Sequence, residues 1–203
     1  MSTARTTLRT AGAALRAMLV FTLVLGIGYT ALITAVGQVA LPWQANGSPV
    51  STAEGVPAGS ALIGQSFLDA DGSPLPEYFQ SRPSAAGDGY DGGASSGSNY
   101  GPENTDLVSS IAERRAAVAA FEHVDPADVP ADALTASASG LDPHISPAYA
   151  RLQIDRVAAA RDLDEAEVRA LVESKIQARD LGFLGEPRVS VLELNLALDA
   201  LGR

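Results

Sequence analysis

Few residues in this 203-residue sequence are of types that do chemistry, and their spacing limits what they can do. Gly93-Ala94-Ser95-Ser96-Gly97 matches the G-x-S-x-G pattern of a serine nucleophile. Such a serine sits on a sharp turn between a strand and a helix, which holds its Oγ clear of the backbone. Here Asp88-Gly89-Tyr90-Asp91-Gly92 precedes the motif and Ser98-Asn99-Tyr100-Gly101-Pro102 follows it, and neither reads as a regular element. His123 and His144 are the only histidines, and neither has a His or Cys at metal-ligand spacing. Asp142 can share a hydrogen bond with His144, fixing the imidazole and bracing its loop. A serine hydrolase built on Ser95 and His144 stands as the alternative reading, without a predicted element to hold its nucleophile.

Composition excludes more. Cysteine is absent, so there are no disulfides, thiol nucleophiles or cysteine-ligated metals. Lys175 is the only lysine, and no phosphate-binding G-x-x-x-x-G-K-[ST] loop surrounds it. The net charge is −10, and more negative still once three N-terminal arginines are set aside, so the chain would repel nucleic-acid phosphates. Carboxylates are plentiful but fall in helix first turns or on solvated faces. No metal and no firmly bound cofactor is expected.

The element that must position everything else is Ala17 to Leu41, a run without a charged residue. As a helix it is roughly 37 Å long, against a hydrocarbon core of about 30 Å. It is longer than the apolar part of a cleaved signal, and Val39-Ala40-Leu41-Pro42 is a poor cleavage site. Arg5, Arg9 and Arg16 precede it and no acid occurs before Glu54, which predicts a cytoplasmic N-terminus and an extracytoplasmic remainder. The expected organisation is residues 1–16 in the cytoplasm, a transmembrane helix over 17–41, a tether loop over 42–59 and one domain over 60–203. Thr22, Gly26, Thr30, Thr34 and Gln38 recur every four residues, a row suited to close approach by partner helices.

Beyond the tether, Ala61–Phe67 and Tyr78–Arg82 read as short strands. Residues 84–102 are rich in Gly, Ser and Asp, but Tyr90, Asn99 and Tyr100 predict a loop that docks rather than a free linker. Asn104 or Thr105 caps a helix to about Phe121, with Arg114 and Arg115 on a solvated face. Ser146 followed by Pro147 starts a helix reaching about Arg161. Asp164 and Glu167 resemble a capping box, as do Ser190 and Glu193. The last run alternates like a strand, yet Leu194, Leu198 and Leu201 share a helical face, so a helix is predicted from Val191. The fold class is α+β: one N-terminal transmembrane helix, then an extracytoplasmic domain of few strands and about four helices.

Taken in order, the loops carry a specific resemblance. They are Pro42-Trp-Gln-Ala-Asn-Gly-Ser48, Gly59-Ser-Ala-Leu-Ile-Gly-Gln-Ser-Phe67, Tyr78-Phe-Gln-Ser-Arg-Pro-Ser-Ala85, Ser95-Ser-Gly-Ser-Asn-Tyr-Gly-Pro-Glu-Asn104 and Ala138-Ser-Gly-Leu-Asp-Pro-His-Ile-Ser-Pro147. Gln153, Arg156-Val157-Ala158 and Val191–Asp199 complete the series. Together they resemble the C subunit of the Kdp-type potassium-transporting ATPase over nearly the whole chain. Tyr100 and Ser190 depart from the family's usual Leu and Asn. The resemblance implies an accessory subunit of an ATP-driven potassium uptake pump, with two partners: a potassium-conducting subunit and an ATP-hydrolysing P-type subunit. It implies stabilisation of that complex, and a proposed role as a catalytic chaperone raising its affinity for ATP, with Gln153 the position carried over. Asn99, Gly101, Asp142 and His144 are the expected docking-loop residues. No D-K-T-G motif is present, so the chain is not itself a P-type ATPase. An extracytoplasmic domain and cytosolic ATP would be separated by the bilayer, so an assembly role is favoured over nucleotide contact.

Overall fold

The computed structural model describes residues 2–201, and side chains from Thr6 onward; the side chain of Arg5 lies outside that set. The chain divides at Ser48/Pro49 into two units. The first is helical from the start: α1 (Ser2–Phe21), a π-helical segment (Thr22–Tyr29) and α2 (Thr30–Ala40) follow without a break. Thr6–Ala40 is the one stretch, among the described residues, long and apolar enough to cross a membrane, and none of its apolar window is buried by protein. The helix therefore begins well before the uncharged run. A short α3 (Pro42–Ala45) closes the unit, and its start at Pro42 uses a residue preorganised for a first helical turn.

The second unit is α+β, as predicted, but its strands lie elsewhere. β1 (Pro49–Ser51) and β2 (Pro57–Ser60) form an antiparallel hairpin with a bulge between Val50 and Ser51. These fall inside the stretch that composition reads as tether loop. Ala61–Phe67 is not a strand. The Gly64 N–H donates to Leu141 O at 2.9 Å, and a Cβ at Gly64 would collide with the Tyr90 ring and lie 2.7 Å from Asp142 O. Packing across the two distant loops replaces a ladder there. β3 (His144–Ile145) and β4 (Val189–Ser190) form a second antiparallel pair.

The helices follow their caps. α4 (Thr105–Glu122) starts at Asn104, whose side chain accepts from the amides of Asp106 and Leu107. It stops at His123 in the left-handed conformation, φ 57°. Ser146 caps α5 (Pro147–Leu152) by accepting from Tyr149 N–H at 3.0 Å. The expected single helix to Arg161 is divided at Gln153, beyond which α6 (Ile154–Arg161) continues. Asp164 caps α7 (Glu165–Lys175), accepting from Ala166 N–H. α8 (Val191–Leu201) begins directly after β4, as its helical face predicted. Ile154, Val157, Val168, Val172, Leu194 and Leu198 pack with Phe79 and Tyr149 into one apolar core.

Phe79 is fully buried, yet Tyr78–Arg82 is not the predicted strand. Its backbone partners are two side-chain carboxamides. Phe79 N–H donates to Asn195 Oδ1 at 2.9 Å, and Asn195 Nδ2 returns to Phe79 O at 3.0 Å. Gln80 N–H donates to Gln153 Oε1 at 2.6 Å, and Gln153 Nε2 returns to Gln80 O at 3.1 Å. Each amide does for one residue what a neighbouring strand would do, because buried backbone groups must be paired by something.

Candidate functional site

Gln153 is fully buried at the α5–α6 junction. Besides its exchange with Gln80, its Oε1 accepts from Arg156 Nη2 at 2.8 Å. Arg156 extends the knot. Its Nε donates to Glu122 Oε2 at 2.9 Å, its Nη1 to the carbonyls of Pro76 and Tyr78, and its guanidinium lies 4.5 Å over the Phe121 ring. Arg156 and Glu122 side chains are 7% and 1% exposed, so the pair is sealed from water. Burial pushes the Glu122 carboxyl up from its usual value, against the opposing pull of Arg156. Arg161 adds a parallel tie, donating to Glu77 O at 2.7 Å and to Asp199 at 2.7 Å. The segment 76–80 is thus fastened to α6, α8 and the α5–α6 junction, and Gln153 presents no atom to solvent.

A second polar cluster surrounds Asp142. Its carboxylate accepts from Arg82 Nη1 at 2.9 Å and from His144 N–H at 3.0 Å, with His144 Nδ1 at 3.4 Å. Burial would raise the carboxyl, but the His144 side chain and amide together with Arg82 outweigh it and hold it below its usual range. The predicted Asp142–His144 contact is therefore present, and it braces the loop leading into β3. The loop over residues 84–102 docks on the same region. Ser84 Oγ donates to Gly140 O at 2.6 Å, Ser96 N–H to Ser139 O at 3.0 Å, and Tyr90 OH to Arg82 O at 2.9 Å. Burial pushes the Tyr90 hydroxyl up to about 12.

The serine hydrolase reading fails on this geometry. Ser95 lies in loop rather than between strand and helix, and its Oγ donates to Ser139 O at 2.9 Å instead of to an imidazole. Asn99 and Gly101 are exposed at the far end of the docked loop. Asn99 holds φ 54° and bonds only locally, to Gly97 O. Among the described residues no bond joins them to Asp142 or His144, so the expected docking-loop residues lie in two separate clusters. Arg114, expected on a solvated face, is half-buried and donates to Leu134 O at 3.0 Å. Among the described residues no group of three potential metal ligands occurs. Sequence reading missed Asn195, Gln80, Glu122 and Arg161. A polar residue among the leucines of α8, at Asn195, is the one signal that could have been caught.

In the first unit Thr22, Gly26, Thr30, Thr34 and Gln38 are all exposed. Thr30 Oγ1 donates back to Leu25 O at 3.4 Å, a five-residue reach that fits the π-helical winding. Gln38 is not free: its carboxamide pairs with that of Asn46 at 3.1 Å and 3.4 Å.

Comparison with known proteins agrees with this architecture. The family model described as "K+-transporting ATPase, c chain" matches residues 11–200. A potassium-transporting ATPase KdpC subunit from Kineococcus radiotolerans is 56% identical over 191 residues, covering 94% of this chain and 93% of the relative. Those of Caulobacter vibrioides and Mycobacterium bovis are 53% and 50% identical, over 92% and 93% of this chain and 91% and 96% of their own. With span, domain and loop series all inside the match, the chain belongs to the KdpC family, the c chain of K+-transporting ATPases.

Proposed function

We propose that this chain is a non-catalytic accessory subunit of an ATP-driven potassium uptake pump. It holds the complex together through its single span and its acidic domain, alongside a potassium-conducting and an ATP-hydrolysing subunit. Potassium is the cargo of the complex. The observation that carries this reading is the match from residue 11 to 200 to proteins named as subunits of a potassium-transporting ATPase. Arg5, Arg9 and Arg16 orient the N-terminus to the cytoplasm and the domain over 60–203 to the outside of the cell membrane, with 42–59 between them.

The row Thr22, Gly26, Thr30, Thr34, Gln38 is the helix-docking seam of this reading. On an α-helix each four-residue step advances about 40°, so five such residues would spread over about 160°. Hydrogen bonding from i to i+5 winds the π-helical segment at roughly 4.4 residues per turn, and each step there turns back by about 30°. Thr22–Tyr29 lies in that segment, so the backward steps cancel the forward ones. The five residues then stay within about 80°, one face instead of a spiral.

Gln153 acts here by building the domain, since its side chain is fully buried and bonds to Gln80 and Arg156 inside it. Any gain in ATP affinity by the pump is transmitted through the assembly. Two experiments test the proposal. Deleting this chain abolishes growth on micromolar potassium, and normal uptake without it refutes the accessory role. Gly26→Leu strips the other subunits from the purified chain while leaving it in the membrane. Undiminished co-purification would place the seam elsewhere.

A further inference from the structure

Among the described residues, a cavity with apolar walls and a spare cation lies between α4 and the loop segments 66–90, bordering the Gln153 knot at Gln80 and Phe121. It has a volume of about 370 Å³. Its floor is made by buried Ala133, Tyr149 and Gln80, and its rim by exposed Leu68, Asp88 and Ala117. Phe121, Tyr90, Val118 and Pro83 supply further ring and alkyl surface. Two guanidinium groups border it. Arg82 is neutralised by Asp142, but its Nε is buried without a hydrogen-bond partner. Arg114 spends one nitrogen on Leu134 O and has no carboxylate within 4 Å among the described residues.

Pockets that hold small molecules are concave, mostly apolar and fixed by a few polar groups, with volumes from about 300 Å³ upward. This cavity stands at the small end of that range, which suits a ligand of roughly a dozen non-hydrogen atoms. Its aromatic and branched lining asks for a ring or a branched alkyl body. Its unpaired guanidinium asks for one negative charge of planar, two-oxygen shape, because that geometry meets the guanidinium fork with two parallel bonds. Phosphate esters carry more charge than one free cation answers. We infer that the domain binds a small aryl or branched-chain monocarboxylate in this cavity, with Arg114 as its charge partner.

The test uses the full chain in lipid nanodiscs with benzoate as probe, followed by saturation-transfer NMR. Benzoate should show saturable binding, and neutral benzamide should bind at least about tenfold more weakly. Arg114→Met keeps the length of the stem and removes the charge, and should weaken benzoate by a similar factor. Ala117→Trp fills the rim from an exposed helical position and should abolish transfer. Hydrogen exchange at Gln80 confirms that each variant is folded. Equal binding of benzoate and benzamide, no transfer at millimolar benzoate, or full binding by folded Ala117→Trp would each overturn the inference.

Discussion

Replacing Gln153 by Leu is the sharpest way to ask what this buried amide does. Leucine is apolar and only one methylene shorter, so the cavity opened is small. What is lost is the partner of Gln80 N–H at 2.6 Å, the partner of Gln80 O at 3.1 Å and an acceptor for Arg156 at 2.8 Å. A buried polar group left unpaired costs about 1–3 kcal/mol. Two such backbone groups give about 2–6 kcal/mol, and Arg156 adds little because its other donors keep Glu122, Pro76 and Tyr78. The expected loss, about 4 kcal/mol, is a large share of a domain's total stability. It should be read by urea unfolding of the full chain in nanodiscs, and locally by hydrogen exchange in peptides covering residues 78–82. Each 1.4 kcal/mol lowers Gln80 protection by about tenfold. A change below about 1 kcal/mol, with Gln80 still protected, would refute the reasoning. If apparent ATP affinity fell in that same unperturbed variant, Gln153 would have to act on nucleotide after all.

The remaining predictions address the other contacts. Glu122→Ala strands the Arg156 guanidinium in a site that is 7% exposed, and should cost about 3–5 kcal/mol in urea unfolding. Asp142 titrates below its unfolded value, so the unfolded chain takes up its proton first as the pH drops. Stability from this group is present above the ordinary aspartate range of about 4 and is lost on acidification through the lower folded value; Asp142→Asn should flatten that acid limb between about pH 5 and 2. Gly140→Ala would put a Cβ 2.6 Å from Ala86 N and from Ser96 O at φ 67°, and should lower thermal stability by at least about 1–3 kcal/mol. Ser95→Ala removes one exposed hydrogen bond and should change unfolding by less than about 0.5 kcal/mol, with growth on low potassium unaltered.

Local physics wrote several features into the sequence. An uncharged run of that length can only be a helix, because no other backbone satisfies itself in hydrocarbon, and Thr6–Ala40 is one. Asn104, Ser146 and Asp164 each cap the helix expected of them, since a cap needs only a side-chain oxygen two or three residues from a free amide. Family membership was legible too, as an ordered series of loops. Tertiary structure decided what no short window contains. Tyr78–Arg82 looks like a strand because it is half apolar, but Asn195 and Gln153, over 70 residues away, take its backbone bonds and leave no ladder. The apolar run at 61–67 gives way to the close crossing of Gly64 with Tyr90 and Asp142. Gln153 itself was identifiable only by resemblance, and its chemistry is fixed by burial: an amide enclosed by Gln80 and Arg156 has its bonding atoms committed to the fold. Long-range pairing of buried polar groups depends on which distant segments meet, and spacing along the chain carries no record of that.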